Sequence, residues 1–416
     1  MSIESGLKND CKAIIDYSLK KVQPNTIVKN AIEGRKFSGR VILVSVGKAG
    51  WTMADAAVNQ MGVKPYKGIV ITKYGHSKGP IGELEIYEAG HPVPDENSFK
   101  ATERALELTK GLTEDDTVLF LLSGGGSALF EKPLIKEDEL QNVTNQLLGC
   151  GAEITEVNTI RKRLSSVKGG RFAAHIFPAK VVSVILSDVL GNRADVIASG
   201  PTVEDSSTSA EAIGIVEKYR INCSQEALRW IKTELPNNLN NTETIVSGSV
   251  SQLCRAGQEM AEQLGYKAKI LTDCLDCEAK DAGLMLGRLA RENADSSEPL
   301  AFLAGGETVV HLTGKGMGGR NQEVALAAGL EIQGLKNVAV FSFGSDGTDG
   351  PTDAAGGYAD GDTKNKLESE EIDIRKVLEN NDAYNGLKRT DGLIFTGPTG
   401  TNVNDLSVVL IRPKSL

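Results

Sequence analysis

The chain has 416 residues, 40% of them hydrophobic and 24% charged, an ordinary globular composition and a length that favours two domains. Its formal net charge of −9 at pH 7 argues against nucleic acid as the main partner, because a basic footprint is missing. No apolar run approaches the roughly 20 residues that span a bilayer, and residues 1–15 lack a signal-peptide pattern. We therefore expect a cytoplasmic protein whose partners are small molecules.

The six cysteines show no spacing typical of a disulfide framework, so we expect reduced thiols. Cys274 and Cys277 form one CxxC pair without a second pair, and the chain has only four histidines. A zinc site at this pair is therefore disfavoured.

The first part of the chain alternates between helical and strand-like patterns. Apolar residues with a period near 3.6 precede Pro24 and predict a first helix. Continuous apolar runs predict buried parallel strands, and amphipathic stretches between them predict helices. The predicted strands end near residues 46, 73, 88, 122 and 186, and helices are predicted from 51, over 98–112, over 140–147 and over 210–220.

An Asn-rich patch at 236–242 (PNNLNNT) is the best candidate for a domain boundary. We therefore place an N-terminal domain at 1–240 and a C-terminal domain at 241–416. Helices are predicted in the second domain at 253–264 and 284–290. Alternating strands and helices predict an α/β fold with mostly parallel sheets. The five strands predicted here are TIVSGS, KAKILT, PLAFLAGG, VAVFSFGSDG and LSVVLIR.

Residues with functional chemistry lie just after the apolar runs. In open α/β sheets, ligands bind at the carboxyl ends of strands, so we expect these loops to converge on a cleft between the two domains. The residues concerned are Lys48, Ser123, Gly124, Gly125, Gly126, Ser127, Asp188, Glu307 and Asp346.

The Ser-Gly-Gly-Gly-Ser loop at 123–127 can form a nest of N–H donors around a phosphate, although a tight strand-to-helix turn has the same pattern. Known nucleotide signatures are missing. The Gly-Lys pairs lack Walker A spacing, no dinucleotide fingerprint follows residues 41–46, and neither the protein-kinase motifs nor GxSxG occur. The loop therefore predicts an anion contact without a known signature.

The segment 303–357 brings glycines, cations and carboxylates together. A helical pattern begins just after Arg320, and N–H groups at a helix start together with a guanidinium make an anion site. Carboxylates beside such a site favour a divalent cation that bridges to phosphate. We therefore predict a phosphoryl group held with Mg²⁺, against the simpler interpretation of ordinary Gly and Asp turns. The carboxylates are Glu307, Asp346, Asp349 and Asp353.

Three single residues have competing interpretations. Lys48 is either a point charge at a strand end or an ordinary solvated lysine. Asp188 is a metal ligand or proton acceptor, or else the N-cap of the next helix. His91, between a glycine and a proline, is interpreted as a turn residue.

Six motifs are long and specific: SGGGSALF at 123–130, NTIRKRLSSVKGGR at 158–171, SDVLGNRADVIASGPT at 187–202, GGETVV at 305–310, GKGMGGRNQE at 314–323 and SFGSDGTDGPTDAAG at 342–356. They resemble class II glycerate kinases, which carry a C-terminal MOFRL domain and whose relatives were long labelled hydroxypyruvate reductases. The resemblance covers nearly the whole chain, from about residue 14 to residue 412.

This resemblance implies an ATP- and Mg²⁺-dependent kinase that phosphorylates D-glycerate, at the 2-hydroxyl, to give 2-phosphoglycerate and ADP. It implies a Rossmann-like N-terminal domain with a mostly parallel sheet, a smaller α/β MOFRL-type C-terminal domain, and an active site between them. It also implies catalytic roles for Lys48 and Arg320, and Asp346 is expected as the third catalytic residue.

These roles agree with phosphoryl transfer, which needs positioning and charge neutralisation. Arg320 and Lys48 are expected to stabilise the transferred group, and Asp346 or Asp188 to hold Mg²⁺ or accept the hydroxyl proton. The glycerate carboxylate needs a further cation, for which Arg161, Arg163 and Arg171 stay open. The residues expected to contact the nucleotide are Ser123, Gly124, Gly125, Gly126, Ser127, Glu307, Gly318 and Gly319.

Two other functions compete with this one. An NAD(P)H-dependent hydroxypyruvate reductase suits the same three-carbon substrate, but the dinucleotide fingerprint is missing. A non-catalytic sugar-phosphate-binding regulator explains the glycine loops but not the carboxylates. Binding of a nucleotide together with magnesium would distinguish the kinase from both alternatives.

A homodimer is expected only because twofold dimers are the commonest oligomers.

Overall fold

The architecture is described by a computed structural model of residues 3–37, 39–60 and 62–414. All ten predicted strands form, and β10 and β11 were not predicted. The strands are β1 Val41–Val46, β2 Lys67–Lys73, β3 Glu85–Ala89, β4 Thr117–Leu122, β5 Lys180–Leu186, β6 Thr242–Gly248, β7 Lys267–Leu275, β8 Leu300–Gly306, β9 Val338–Gly344, β10 Gly356–Asp360, β11 Leu393–Ile394 and β12 Asp405–Ile411.

The helices occupy most of the segments between these strands, and a π-helical turn at Ala56–Gln60 extends the third. No helix in the described ranges is both long enough and apolar enough to cross a membrane. The helices are α1 Ile3–Lys21, α2 Pro24–Ile32, α3 Gly50–Asp55, α4 Glu96–Leu108, α5 Gly126–Leu129, α6 Glu137–Gly149, α7 Ile154–Arg163, α8 Arg171–Ile176, α9 Ser209–Lys218, α10 Gln225–Ile231, α11 Val250–Gln263, α12 Ala279–Glu292, α13 Arg320–Glu331, α14 Thr363–Ser369, α15 Ile374–Glu379 and α16 Ala383–Arg389.

The chain forms two compact units. The first unit comprises Ile27–Ser187 and Asn192–Ser247, and the second comprises Met1–Thr26, Asp188–Gly191 and Gly248–Leu416. This grouping by contacts differs from the division at residue 240, which rests on composition alone and stays a prediction.

The first unit contains a six-stranded sheet in the order β3-β2-β1-β4-β5-β6, and the first five strands in this order run parallel. Every residue of β1 and β4 is buried. Because successive side chains of a strand point to opposite faces, both faces of the sheet are covered at these two strands. This is the strand order of a doubly wound Rossmann fold, so the predicted Rossmann-like parallel sheet is confirmed.

This strand order decides where a ligand site is expected. The chain moves outward from β1 to β3 on one side and from β4 to β6 on the other, so the topological switch point lies between β1 and β4. In such sheets, ligands bind beside the carboxyl ends of the strands at the switch point. The loops after β1 and β4 contain Lys48 and residues 123–127.

The second unit contains another six-stranded sheet, in the order β11-β10-β9-β12-β8-β7. Only β7 and β8 pair in parallel, and the other four pairs are antiparallel. The expectation of a mostly parallel sheet is therefore wrong for this unit. Two of the four antiparallel pairs come from the last strand, β12, which enters between β8 and β9 and runs opposite to both, and the other two come from β10 and β11.

Two helices, α13 and α1, pack against the rest of the second unit. Residues 321–329 of α13 are all buried, and the helix packs against α12, β9 and β10. The first helix, α1, packs on α11, and its Asp10 accepts hydrogen bonds from Tyr266 and Arg412. The start of the chain therefore belongs to the second unit by contact.

Candidate active site

In the first unit, the loops after β1 and β4 are joined directly. The backbone N–H of Lys48 donates to the carbonyl of Gly124 at 2.9 Å, and the N–H of Ala49 donates to the Ser123 hydroxyl at 3.0 Å. Gly47 has a φ of 119°, and a Cβ there would lie 2.2 Å from the Ser123 hydroxyl oxygen. Only glycine permits this approach, so the sequence Gly47-Lys48 at the end of β1 holds Lys48 beside the glycine loop.

The glycine loop offers backbone donors. No turn or loop hydrogen bond within the described residues uses the backbone N–H of Gly124, Gly125, Gly126 or Ser127. Gly125 adopts a left-handed conformation with φ 89° and ψ −4° immediately before the short helix α5. Consecutive N–H groups without acceptors in a glycine turn form an anion-binding concavity. The geometry therefore agrees with the predicted anion contact of residues 123–127, which stays a prediction.

Lys48 is half-buried, and its ammonium group has no hydrogen-bond or ion-pair partner within the described ranges. A Cβ on Gly125 would lie 3.0 Å from the His91 ring and 3.3 Å from the Lys48 side chain, so both side chains flank the loop. Burial, followed by the charges of Lys48, Lys73 and His76, lowers the pKa of His91. His91 is therefore a neutral imidazole near neutral pH, and it lies beside the glycine loop.

A buried ion pair supports the glycine loop, and the sequence patterns did not reveal it. Lys168 donates to the carbonyl of Ser127 at 2.8 Å and pairs with Glu131, and both charged side chains are fully buried. Burial lowers the pKa of Lys168 to about 8, against the attraction of Glu131. Breaking a buried ion pair leaves an uncompensated charge, so Glu131 holds Lys168 in place. Lys168 in turn holds the Ser127 carbonyl of the glycine loop.

A second support is a strained turn. Ala198 and Ser199 have φ values of 50° and 62°, which cost non-glycine residues free energy unless neighbours hold them. The Ser199 carbonyl accepts the N–H of Gly169 at 3.0 Å, and a Cβ on Gly126 would lie 2.7 Å from the Ala198 Cβ. Both turn residues belong to the motif at 187–202, whose Ala-Ser-Gly sequence was the available signal.

In the second unit, three carboxylates meet at one edge of the sheet. Glu307 follows β8, and Asp346 follows β9 by two residues. Asp405 begins β12 and pairs with Gly306 on one side and Gly344 on the other. Because β12 is antiparallel to both neighbours, its first residue lies at the edge where β8 and β9 end. Sequence reasoning missed Asp405, because it considered only residues that follow strands.

Arg320, the first residue of α13, is held by two of these carboxylates. Its Nε and Nη2 donate to Asp405 at 2.5 and 3.0 Å, and its Nη1 lies 3.2 Å from a Glu307 oxygen. Burial alone would lower the pKa of Arg320, but the hydrogen bonds and charge of Asp405, and then Glu307, raise it. The guanidinium is therefore charged at every accessible pH.

The start of α13 is not open to a phosphate, contrary to the sequence-based prediction. The backbone N–H groups of Asn321 and Gln322 donate to the Asp349 carboxylate at 3.1 and 2.8 Å. Asp349 is 2% exposed, and burial raises its pKa to about 7. The hydrogen-bond acceptor at this helix start is therefore a side chain of the protein itself.

The predicted nucleotide contacts Gly318 and Gly319 have a packing role in this segment. A Cβ on Gly319 would lie 2.3 Å from the Asp349 carboxyl carbon, and one on Gly318 would lie 3.2 Å from the backbone N of Ala383. Glycine is therefore required for the loop to pass Asp349. Their contact with a nucleotide stays a prediction.

Asp188 and Asp346, the predicted metal ligands, both act electrostatically on this cluster. Burial raises the pKa of Glu307, Arg320 opposes this, and Asp405 and Asp188 add to it, while the charge of Asp346 acts on Asp405. Within the described residues, no three His, Cys, Asp or Glu side chains could hold a metal ion by themselves. Carboxylate oxygens nevertheless suit Mg²⁺, which is often held by one or two of them together with substrate phosphates.

Comparisons with known proteins identify the family. A family model described as a domain of unknown function, DUF4147, matches residues 10–232, and the MOFRL family model matches residues 300–405. A D-glycerate 2-kinase of Thermotoga maritima is 52% identical over 97% of this chain and 98% of its own length. The chain belongs to the MOFRL-type glycerate kinase family.

Structural likeness agrees with this membership. The crystal structure of a glycerate kinase from Thermotoga maritima matches with a TM-score of 0.95 at 52% identity, over 98% of this chain and 100% of that chain. A relative from Agrobacterium vitis, 37% identical over 96% of this chain and 93% of its own, is named a putative hydroxypyruvate reductase. The predicted family and the two-domain α/β fold class are confirmed.

Within this glycerate kinase, the three candidate arginines differ in their free donors. Arg163 is fully buried and donates to the side chain and the carbonyl of Ser207, both at 2.8 Å. Arg171 stacks on Trp230 at 5.4 Å, and its Nε and one Nη have no hydrogen-bond partner among the described residues. Arg161 is half-buried without a hydrogen bond to the described residues. The Nη groups of Arg163 are therefore committed to the fold, but its Nε, like the two donors of Arg171, has no hydrogen-bond partner among the described residues, so all three arginines stay open.

Proposed function

We propose that this protein is an ATP-dependent kinase that phosphorylates D-glycerate at the 2-hydroxyl, giving 2-phosphoglycerate and ADP. The observation that carries the proposal is its 52% identity, over nearly the whole of both chains, to the D-glycerate 2-kinase of Thermotoga maritima. The geometry supports it, because the first unit offers unpaired donors for an anion and the second offers a guanidinium among carboxylates.

In the first unit, the free N–H groups of residues 124–127 and the Lys48 ammonium bind phosphate oxygens of the nucleotide. Phosphoryl transfer depends on positioning and on neutralising charge, so fixed donors that carry no competing carboxylate suit this task. Neutral His91 beside the loop can donate or accept a hydrogen bond without adding charge.

In the second unit, Arg320 stabilises the charge that spreads over the transferred phosphoryl group. Asp188 and Asp346 are the candidates for accepting the proton of the attacking hydroxyl and for holding Mg²⁺. When bound, Mg²⁺ neutralises charge on the phosphates. Arg161, Arg163 or Arg171 binds the glycerate carboxylate, because each retains a donor without a partner among the described residues.

The wider setting is part of the same proposal. All six cysteines are free thiols, which supports a reducing cytoplasmic compartment.

A homodimer is proposed because twofold dimers are the commonest oligomers, and light scattering at defined concentration tests it.

The test follows ADP release from ATP, Mg²⁺ and D-glycerate, with enolase present and phosphoglycerate mutase absent. Enolase consumes 2-phosphoglycerate directly, so we expect ADP and the enolase signal together. ADP without that signal would move the phosphate to the 3-hydroxyl. No ADP, together with NADH oxidation by hydroxypyruvate, would overturn the kinase and favour the reductase.

A further inference from the structure

The two carboxylates on Arg320 contact it in different ways. Asp405 accepts from Nε and Nη2, which is a bidentate contact along one side of the guanidinium. Glu307 contacts only Nη1, at 3.2 Å. The Asp405 side chain is 7% exposed, whereas that of Glu307 is 46% exposed. One carboxylate is therefore buried and held by two hydrogen bonds, and the other is half-exposed and makes a single contact.

The backbone holds Asp405 in place. It pairs with Gly306 of β8 and Gly344 of β9, so its Cα is set by strands on both sides. A Cβ on Gly344 would lie 3.4 Å from an Asp405 carboxyl oxygen and 3.0 Å from the Thr348 carbonyl, so glycine makes room beside the carboxylate. Glu307 lies one residue beyond β8, where its backbone N–H donates to the Leu275 carbonyl at 2.8 Å, so it differs from Asp405 in the exposure of its side chain.

The arrangement leaves one edge of Arg320 available. A guanidinium has five N–H groups, and the contact with Asp405 uses the Nε–H and one N–H on Nη2. The remaining three lie on Nη1 and Nη2, the end-on edge that matches two oxygens of a phosphate. One Glu307 oxygen lies 3.2 Å from Nη1, a nitrogen of this edge.

We propose that Asp405 is a positioning residue that presents the end-on edge of Arg320 to a phosphoryl group, and that Glu307 is a placeholder which the phosphoryl group displaces. The identity of this anion as a phosphoryl group of ATP rests on the proposed function. The proposal that Asp405 positions Arg320 for a multiply charged oxyanion does not rest on that function.

Binding of inorganic pyrophosphate, measured by calorimetry, tests the placeholder without requiring activity. Glu307→Gln is expected to lower the pyrophosphate Kd about fivefold, because an exposed competing charge is removed. Glu298→Gln is the matched control, since Glu298 is exposed and pairs with Lys267 elsewhere in the second unit. An unchanged or higher Kd in Glu307→Gln would overturn the placeholder role.

Chemical rescue tests the positioning role. Asp405→Asn is expected to lower kcat about a hundredfold while the KM for D-glycerate changes less than about twofold. Arg320→Ala is expected to regain at least about tenfold in kcat with added guanidinium ion, and Arg320→Ala/Asp405→Asn to regain none. Equal rescue of both variants would overturn the role, because Asp405 would then not hold the guanidinium.

The outcomes separate this inference from the proposed function. A wild-type protein that releases no ADP with D-glycerate, while Glu307→Gln binds pyrophosphate more tightly, would remove the function and support the inference. If the wild-type protein is active and the Glu307→Gln variant binds pyrophosphate with an unchanged Kd, the proposed function is supported and the placeholder role is overturned. If Asp405→Asn does not fold, the Glu307→Gln measurement still decides the placeholder role.

Discussion

Lys48 and Arg320, the two predicted catalytic cations, lie in opposite electrostatic settings. Lys48, in the first unit, has no carboxylate partner among the described residues and lies beside backbone N–H groups that also lack acceptors. Arg320, in the second unit, is already neutralised by Asp405 and Glu307. The first unit therefore presents an excess of donors, and the second presents a guanidinium that is already paired with carboxylates.

The difference assigns separate tasks to the two regions. An excess of donors with little competing negative charge binds an anion in its ground state, because nothing has to be displaced. A guanidinium held by a buried carboxylate is preorganised, so it costs little reorganisation when charge develops during reaction. We expect ground-state phosphate binding to depend mainly on the first unit and transition-state stabilisation on the second.

Removing either cation is expected to have the largest effect. Lys48→Ala and Arg320→Ala should each lower kcat/KM at least about a thousandfold in the ADP-release assay. Lys48→Ala should also raise the KM for ATP, whereas Arg320→Ala should act mainly on kcat. Lys110→Ala, an exposed lysine of the first unit, is the control and should stay within about twofold. Near-normal turnover in either variant would remove that residue from the mechanism.

Stability should separate the same two variants. Arg320→Ala leaves the buried Asp405 without its partner, so the free energy of unfolding should fall by about 2 kcal/mol, allowing for the partial exposure of Arg320. Lys48→Ala leaves no buried charge behind and should change it by less than about 0.5 kcal/mol. Chemical denaturation measures both, and equal losses would contradict the contrast between the two settings.

Breaking the buried ion pair of Lys168 and Glu131 behind the glycine loop should lower the free energy of unfolding. Glu131→Gln leaves Lys168 buried without a counter-charge and should cost about 3 kcal/mol of unfolding free energy. Glu298→Gln breaks an exposed pair and should cost less than about 0.5 kcal/mol. A loss in Glu131→Gln as small as in this control would show that the pair does not support the loop.

A smaller effect is expected from the glycine loop itself. Gly125→Ala places a Cβ at φ 89° and against His91, so the loop must shift, and the KM for ATP should rise about tenfold. Gly149→Ala, at the end of α6 with open space around it, is the matched control and should leave the KM unchanged. An unchanged KM in Gly125→Ala would exclude the loop from nucleotide binding.

A further prediction concerns the pH dependence of stability that comes from Asp349. Its folded pKa of about 7 lies above the value of about 3.9 expected in the unfolded chain. The native state therefore binds the extra proton between about pH 4 and pH 7, and stability falls as pH rises through that window, by at most about 1.4 kcal/mol per pH unit. Asp349→Asn should remove this component, and identical pH profiles of unfolding free energy in the variant and the wild type would refute it.

Much of the first unit could be predicted from sequence, for physical reasons. The continuous apolar runs of β1 and β4 require burial on both faces, which a parallel sheet covered by helices provides. Parallel strands end at the same edge, so Lys48 and the loop at 123–127 could be predicted to lie together. The supports behind the loop could not, because Lys168 and Glu131 appear in sequence as ordinary charged residues, and only packing shows that they are buried.

By itself, the sequence determined the strands, the glycine loop and the two cations, because apolar periodicity and glycine clusters act locally along the chain. The tertiary structure alone decided what surrounds Arg320. Asp405 lies 85 residues away in sequence and reaches Arg320 only because β12 inserts antiparallel between β8 and β9. Asp349 likewise occupies the helix start that the sequence offered to a phosphate. Strand direction and long-range pairing leave no local pattern, so the partners of a charge are known only once the chain has folded.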